Sequence, residues 1–246
     1  GKLLVVGGSI LYSGSPIFNA LAAYRAGCDL VKIIAPEEAA EAAKACMPDL
    51  IACPLDCDFI TKKDIRSITA MQKDCDAMVI GGGLGRTKAT LDAIRAILGK
   101  TKIPVVVDAD AIHAVSASKM KLRKNFIVTP HSHEFFVLGG KKVNSDIRQR
   151  ALETKNLARR LNCVVLLKGH IDVISDGKKI ATNKTGNPFM TKGGFGDTLA
   201  GICGALLARG VNAFDAACAA AYINGRAGDM AAKKFGEGMI ASDLLC

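Results

Sequence analysis

The sequence predicts an α/β fold with a mostly parallel central sheet, helices on both faces, and a β-hairpin in the C-terminal half at one edge. Three observations predict it. Short runs such as Val105 to Val107 and Val164 to Leu167 are apolar at every position, as strands buried on both faces are. Between such runs lie longer segments with apolar residues at helical spacing, so strand and helix alternate along the chain. Finally, Asp176-Gly177 lies between two short β-prone stretches, Asp172 to Ser175 and Lys179 to Thr182, which is a hairpin signal.

Lys2 to Val6 reads as a buried strand feeding the loop Gly7-Gly8-Ser9. A helix follows, with Ser15 as N-cap, Pro16 at its first position, Ile17, Leu21 and Tyr24 on one face, and Gly27 closing it. Leu30 to Ile34 is the next strand. An Ala-rich helix from Glu37 to Ala45, a short strand around Leu50 to Cys53 and a polar helical stretch from Lys62 to Met71 come after it. Ala77 to Ile80 is a strand running into Gly81-Gly82-Gly83-Leu84-Gly85, and Leu91, Ile94 and Leu98 mark a helix that Gly99 is expected to stop. Val105 to Val107, Phe126 to Val128 and Val164 to Leu167 are strands, the last preceded by a basic helix from Asp146 to Leu161. Helices from Asp197 to Arg209 and from Phe214 to Lys234 finish the chain. No repeat or Pro/Ser-rich linker divides the 246 residues, so a single domain spanning 1–246 is expected. The chain opens on Gly1, without Met, directly before a strand, which leaves room for a segment or domain upstream.

Half of the residues are apolar and 23% are charged, a composition that excludes a disordered or fibrous chain. No apolar run approaches the roughly 20 residues of a membrane-crossing helix. The formal charge of +10 favours anionic partners. Small phosphorylated ligands fit better than nucleic acid, because Trp is absent, Tyr numbers three and the basic residues form no run. Cys28, Cys163, Cys203 and Cys218 lie within apolar stretches and read as reduced core residues. Cys46, Cys53 and Cys57 lack a CxxC pair or a neighbouring His, so zinc is not expected. Asn183-Lys184-Thr185 fits a glycosylation triplet, but no signal sequence is visible, and the location reads as cytoplasmic.

Ligands of open α/β sheets bind beyond the carboxyl ends of the strands, and five loops at such ends are rich in Gly or in charge. They are Gly7 to Ser9, Gly81 to Gly85, Asp108-Ala109-Asp110, Thr129 to Glu134, and Lys168-Gly169-His170. The strongest segment runs from Thr185 to Asp197, where the glycines Gly193, Gly194 and Gly196 end as Leu199, Ile202, Cys203 and Leu206 begin a helical pattern. Free N–H groups and the positive end of a helix dipole would meet there, a site for phosphate. Gly194 and Gly196 are expected to need glycine, either for their φ or for the space a phosphate takes. Asp197 reads either as a carboxylate stabilising the helix terminus or as a base for an alcohol during phosphoryl transfer. His131 reads either as a strand-end histidine bonded to backbone or as a ligand contact, and Lys168 as a solvated edge lysine or a phosphate contact. Asp108 and Asp110, two apart, face the same way if the strand continues. They read as a polar strand end or, joined by Glu134, as a water-mediated Mg²⁺ site.

The segment is not a Walker A loop, and Gly81 to Gly85 lacks the dinucleotide fingerprint. Nearly the whole chain instead resembles the ribokinase-like superfamily, in particular its ADP/ATP-dependent NAD(P)H-hydrate dehydratase branch. The matching stretches are Gly7-Gly8-Ser9 with Tyr12-Ser13-Gly14, Gly81 to Gly85, Asp108 to Ala111, Thr129-Pro130-His131 with Glu134, Lys168-Gly169, and Thr185 to Pro188 through Gly193 to Asp197. Asn224 to Asp229 and Ala241 to Leu244 resemble the family's endings. The chain departs from the pattern at Ser15-Pro16, Ser132-His133, Asp172, Lys192 and Phe195.

The resemblance implies that Asp197 is the base on the hydroxyl of hydrated NADH or NADPH and that Gly193, Gly194 and Gly196 hold the transferred phosphate. It implies substrate contacts from Ser15, Gly83, His131 and Asp197, and nucleotide contacts from Lys168, Gly169, His170, Ile171, Asp172 and Gly196. ADP or ATP and Mg²⁺ are the cofactors expected, with a homo-oligomeric assembly and neither nucleic acid nor membrane as partner. A small-molecule kinase of the same superfamily, acting on a sugar, thiazole or hydroxymethylpyrimidine, would use the same Asp and glycines. A non-catalytic nucleotide-binding module is the third reading, which the intact Gly-Xaa-Gly-Asp opposes.

Overall fold

The computed structural model describes residues 1–118 and 120–245. Its strands are β1 (Lys2–Val6), β2 (Leu30–Pro36), β3 (Ile51–Leu55), β4 (Ala77–Ile80), β5 (Val105–Val107), β6 (Phe126–Val128), β7 (Val164–Leu167), β8 (Asp172–Ser175) and β9 (Ile180–Asn183). They form one nine-stranded sheet in the order β3-β2-β1-β4-β5-β6-β7-β8-β9. Pairing is parallel from β3 through β7, and only the β7–β8 and β8–β9 pairs are antiparallel. The helices are α1 (Gly14–Arg25), α2 (Glu37–Cys46), α3 (Ile65–Met71), α4 (Lys88–Lys100), α5 (Asp110–Ser118), α6 (Ser132–Val137), α7 (Ile147–Leu161), α8 (Phe195–Ala208) and α9 (Ala213–Phe235).

Alternate strand residues enter two separate cores, which is why the strands are apolar throughout. Leu3, Val5, Ile33 and Val79 pack with Ala20, Ala40, Ala200 and Ala217 from α1, α2, α8 and α9. Leu4, Val6, Met78 and Val107 pack on the other face with Ile94, Ile112 and Leu157 from α4, α5 and α7. Strand order reverses between β1 and β4, the place where such sheets open a crevice. Because β1, β4, β5, β6 and β7 are consecutive and parallel, the five loops singled out in the sequence lie side by side along one edge. The β8–β9 hairpin returns to that edge, where Asp172 pairs with Asn183.

Local expectations are corrected in several places. The N-cap of α1 is Ser13, so Ser15 and Pro16 lie inside the first turn and the Ser15 hydroxyl does not cap. The α4 helix runs through Gly99 to Lys100 and is closed by Thr101, whose N–H and hydroxyl both donate to the Ile97 carbonyl (3.0 and 2.7 Å). Helix α6 stands where the sequence reads a loop, and α5, beyond the loop residue Asp110, occupies residues that the sequence reading assigns to no element. The hairpin turn spans residues 176–179, where Asp176 Oδ1 accepts the N–H groups of Lys178 and Lys179 (2.7 and 2.6 Å). After β5, Ala109 takes a left-handed φ of 47° and Asp110 opens α5, so Asp108 and Asp110 do not share a strand face. Asp110 instead accepts Gly85 N–H (2.9 Å) and pairs with Arg86 (2.6 Å).

Candidate active site

Gly194 is the N-cap of α8 with a φ of 96°, a left-handed conformation that a side chain would strain. The first bond of the helix ladder joins Thr198 N–H to the Gly194 carbonyl (3.0 Å), so the N–H groups of Phe195, Gly196 and Asp197 stand ahead of the ladder. They form, with the helix dipole, the anion-attracting end expected there. Among the expected glycines, Gly196 does not adopt a positive φ, and outside its chain neighbours and its own helix backbone a Cβ placed on it would meet, among the described residues, Lys168 Nζ at 3.4 Å. Its demand for glycine concerns the space above it, not its backbone. Gly193 has no atom within 4 Å of where its Cβ would stand.

Asp197 is anchored twice by α1. The Ser15 hydroxyl donates to Asp197 Oδ1, and Asn19 Nδ2 donates to the Asp197 carbonyl (2.8 Å). Gly82, in the loop after β4, forms the floor: a Cβ there would come within 2.8 Å of Asp197 Oδ1. Burial, reinforced by the charge of Asp108, pushes the Asp197 carboxyl up to about 6, against the opposing pull of Ser15 and Lys168. A carboxylate tuned towards neutrality beside an anion-binding terminus suits proton abstraction.

Lys168, at the end of β7, is not a solvated edge lysine. Its Nζ lies 3.1 Å from Asp108 Oδ1 and 3.9 Å from Glu134 Oε2. Burial works against the ammonium, but Asp108 and Glu134 outweigh it and hold the group above the usual lysine value. Asp108 also accepts the Thr129 hydroxyl (2.6 Å), and Glu134 Oε2 accepts His131 N–H (2.9 Å). The carboxylates expected to hold Mg²⁺ therefore already hold Lys168, and direct ligation would have to displace it. As arranged they do not fit direct ligation of a magnesium ion, and among the described residues no group of three or more His, Cys, Asp and Glu side chains could hold a metal.

His131 takes the backbone role that the sequence left open. Its Nδ1 accepts N–H groups from His133 (3.1 Å) and Glu134 (3.4 Å), capping α6. Burial lowers its pKa, in keeping with a neutral ring whose proton is on Nε2, 3.5 Å from Glu134 Oε1. The His131 side chain is 54% exposed beside this contact.

Gly169 and His170 are exposed on the loop between β7 and β8, with Ile171 half-buried beside them. Asp172 folds that loop back: its Oδ1 accepts Gly169 N–H and its Oδ2 accepts Asn183 Nδ2, both at 3.0 Å. Burial pushes its carboxyl up. Gly83, φ 70°, lies below Tyr12 in the neighbouring loop. The structure thus gathers Ser15, Lys168, Asp197, Asp108, Glu134 and Gly196, with His131 beside Glu134, and leaves Gly169 to Asp172 on the rim.

Asn19 has no place in the sequence reading, and Thr129 has one only as the start of a candidate loop and family motif. Asn19 is four residues after Ser15 and so shares its helix face, a spacing that could have found it. Thr129 stands directly after β6 within the Thr-Pro-His run, but nothing local foretells that it meets Asp108. Cavities of about 720 Å³ beside Phe59 and Asp92 and about 470 Å³ between Arg159 and Phe214 open elsewhere, and neither is lined by Asp197.

Residues 3–246 match a family model described as NAD(P)H-hydrate dehydratase. The chain is 39% identical over 246 residues to an ADP-dependent (S)-NAD(P)H-hydrate dehydratase of Cenarchaeum symbiosum, covering 99% of this chain and 85% of the relative. It is 40% identical over 247 residues to a bifunctional NAD(P)H-hydrate repair enzyme of Pyrobaculum aerophilum, covering 100% of this chain and 49% of that protein. The chain spans about half the length of that relative and of similar ones from Methanothermobacter thermautotrophicus (48%) and Hyperthermus butylicus (47%). A Bacillus subtilis ADP/ATP-dependent NAD(P)H-hydrate dehydratase co-crystallised with ATP/Mg²⁺ superposes with a TM-score of 0.82 at 27% identity, covering 100% of this chain and 86% of that one. A ribokinase-like superfamily protein of Enterococcus faecalis, 22% identical with a TM-score of 0.84 over 100% of this chain and 84% of its own, shares the fold. By sequence and by fold, the chain belongs to the NAD(P)H-hydrate dehydratase family.

Proposed function

We propose that this chain dehydrates hydrated NADH and NADPH at the expense of an adenine nucleotide, with Asp197 as base. The observation that carries the reading is the position of Asp197: a half-buried carboxylate with a pKa near 6, in the first turn of α8 beside three N–H groups that no helix bond uses. Asp197 takes the proton of the ring hydroxyl as its oxygen bonds the terminal phosphorus of the nucleotide and the phosphoanhydride breaks. The N–H groups of residues 195–197 and Lys168 receive the charge on the moving phosphoryl group. The ring nitrogen then expels phosphate, a far better leaving group than hydroxide, and loss of a proton from the adjacent ring carbon restores the double bond. With ADP the products are the reduced cofactor, AMP and phosphate. ADP is the donor we favour, following the names of the Cenarchaeum symbiosum and Nitrosopumilus maritimus relatives.

In this reading the hydrate lies against Ser15, Gly83 and His131, and the nucleotide against Lys168 to Asp172 and Gly193 to Gly196. The test incubates the protein with hydrated NADH and ADP or ATP and follows the return of NADH absorbance. Recovery with either nucleotide supports the reading. No recovery, together with phosphorylation of a thiazole or sugar alcohol, would move the chain to the kinase reading.

A further inference from the structure

We infer that Ser15 is a positioning residue for Asp197, holding one carboxylate oxygen so that the other is presented to the substrate hydroxyl. This rests on the reading of Asp197 as the base. The geometry is that of a support built from three elements. The Ser15 hydroxyl, in the first turn of α1, donates to Asp197 Oδ1, and a Cβ on Gly82 would come within 2.8 Å of that oxygen. One turn along α1, Asn19 Nδ2 holds the Asp197 main-chain carbonyl at 2.8 Å. The side chain and the backbone of Asp197 are thereby fixed by one helix face.

That double anchor requires α1 and α8 to approach closely, and Gly201 provides the approach. A Cβ on Gly201 would run into the Asn19 backbone, with the Asn19 Cα at 2.9 Å. One turn before it along α8 is Asp197, so the small residue sets the helix separation at which Ser15 and Asn19 reach their acceptors. With Oδ1 engaged, Oδ2 is the oxygen left to accept a proton. Both lone-pair sets would otherwise compete for a rotamer, and a free carboxylate would lose the alignment that proton transfer needs.

Four charged or polar groups face the Asp197 carboxylate. Asp108 from the end of β5 and Asp110 from α5 raise its pKa, while Ser15 from α1 and Lys168 from the end of β7 lower it. Ser15 is the one of these that acts through a direct hydrogen bond to the carboxylate. Removing it withdraws stabilisation from the charged form, so the pKa rises and the acidic limb of the pH–rate profile moves to higher pH.

The experiment measures kcat against pH for wild type, Ser15→Ala and Ser15→Thr, with Asp197→Asn as reference and circular dichroism to verify folding. Ser15→Ala should shift the acidic limb upward by roughly one pH unit, so that its loss at pH 6 exceeds its loss at pH 8.5 by several-fold. Ser15→Thr, which restores a hydroxyl, should return the limb towards wild type. A Ser15→Ala profile that is merely scaled down, with the limb unmoved and Thr no better than Ala, would overturn the positioning role. An active Asp197→Asn protein would instead remove the base itself, so the two failures are distinguishable.

Discussion

Asp108 and Asp197 are both carboxylates at the carboxyl edge of the same sheet, and the fold uses them oppositely. Asp108, 3% exposed, receives the Lys168 ammonium at 3.1 Å and the Thr129 hydroxyl at 2.6 Å. Among the described residues, Asp197 has only the Ser15 hydroxyl hydrogen-bonded to its carboxylate, and burial together with the charge of Asp108 pushes it up to about 6. The cation is committed to one of them, and the other is left as a base. What separates a counter-ion from a proton acceptor here is not burial but which carboxylate the lysine reaches.

The sharpest test replaces each carboxylate by its amide, and the largest effect belongs to Asp197→Asn. Turnover should fall by about 10²- to 10⁴-fold while nucleotide binding, followed by calorimetry, persists. Stability should move the other way. A carboxyl whose pKa is raised on folding disfavours the folded state wherever it is ionised, so the penalty is full above about pH 6 and disappears as pH falls towards the value of the unfolded chain. The amide removes that penalty, and with a discount for partial exposure the gain should be about 1 kcal/mol at pH 7.5, shrinking by pH 5. Urea denaturation at the two pH values measures it. A loss of stability at pH 7.5 would mean that Asp197 is a structural carboxylate like Asp108.

Asp108→Asn should do the reverse. It leaves the Lys168 ammonium, whose side chain is 21% exposed, without its nearest anion, with Glu134 at 3.9 Å and the charge of Asp197 remaining. Breaking a buried pair by removing one partner costs about 3 kcal/mol at the lower end of the usual range, which is where a partly exposed lysine belongs. Denaturation at pH 7.5 should show that loss. A cost below about 1 kcal/mol would erase the distinction between the two carboxylates.

The sheet was legible because strands buried on both faces are apolar at every position, as Val105 to Val107 and Val164 to Leu167 are, and because chain order and loop composition placed five Gly-rich or charged loops on one edge. Asp197 was legible from the glycines before it. What local pattern does not encode is partnership across the chain. The pairing of Lys168 with Asp108 joins residues 60 positions apart, and Ser15 with Asp197 joins residues 182 apart. A shared face for Asp108 and Asp110, which depends on the strand continuing, fails because a single left-handed residue, Ala109, ends the strand, and Ala is not a residue whose sequence announces that conformation. His131 was undecided because a cap made by an imidazole follows no common capping preference.

The smallest effects concern Gly194 and Gly196, which the sequence treats alike and the structure does not. Gly194→Ala forces a Cβ onto a φ of 96° and to within 2.6 Å of the Ala241 Cβ, so it should cost about 2 kcal/mol of stability and distort the helix start as well. Gly196→Ala meets no such barrier. Its φ is not left-handed, and beyond its own helix its Cβ would meet, among the described residues, Lys168 Nζ at 3.4 Å. Stability should therefore change by no more than about 0.5 kcal/mol. The methyl group would nevertheless stand between the N–H groups opening α8 and the lysine, in the space assigned to the transferred phosphoryl group. Losing one such hydrogen bond weakens nucleotide affinity by roughly tenfold. Denaturation and calorimetry on the two variants separate the cases: Gly194→Ala should fail mainly in stability and Gly196→Ala mainly in binding. If Gly196→Ala binds ADP as wild type does, the phosphate does not approach the end of α8 between Asp197 and Lys168, and the division of labour between the two carboxylates loses the ligand around which it is arranged.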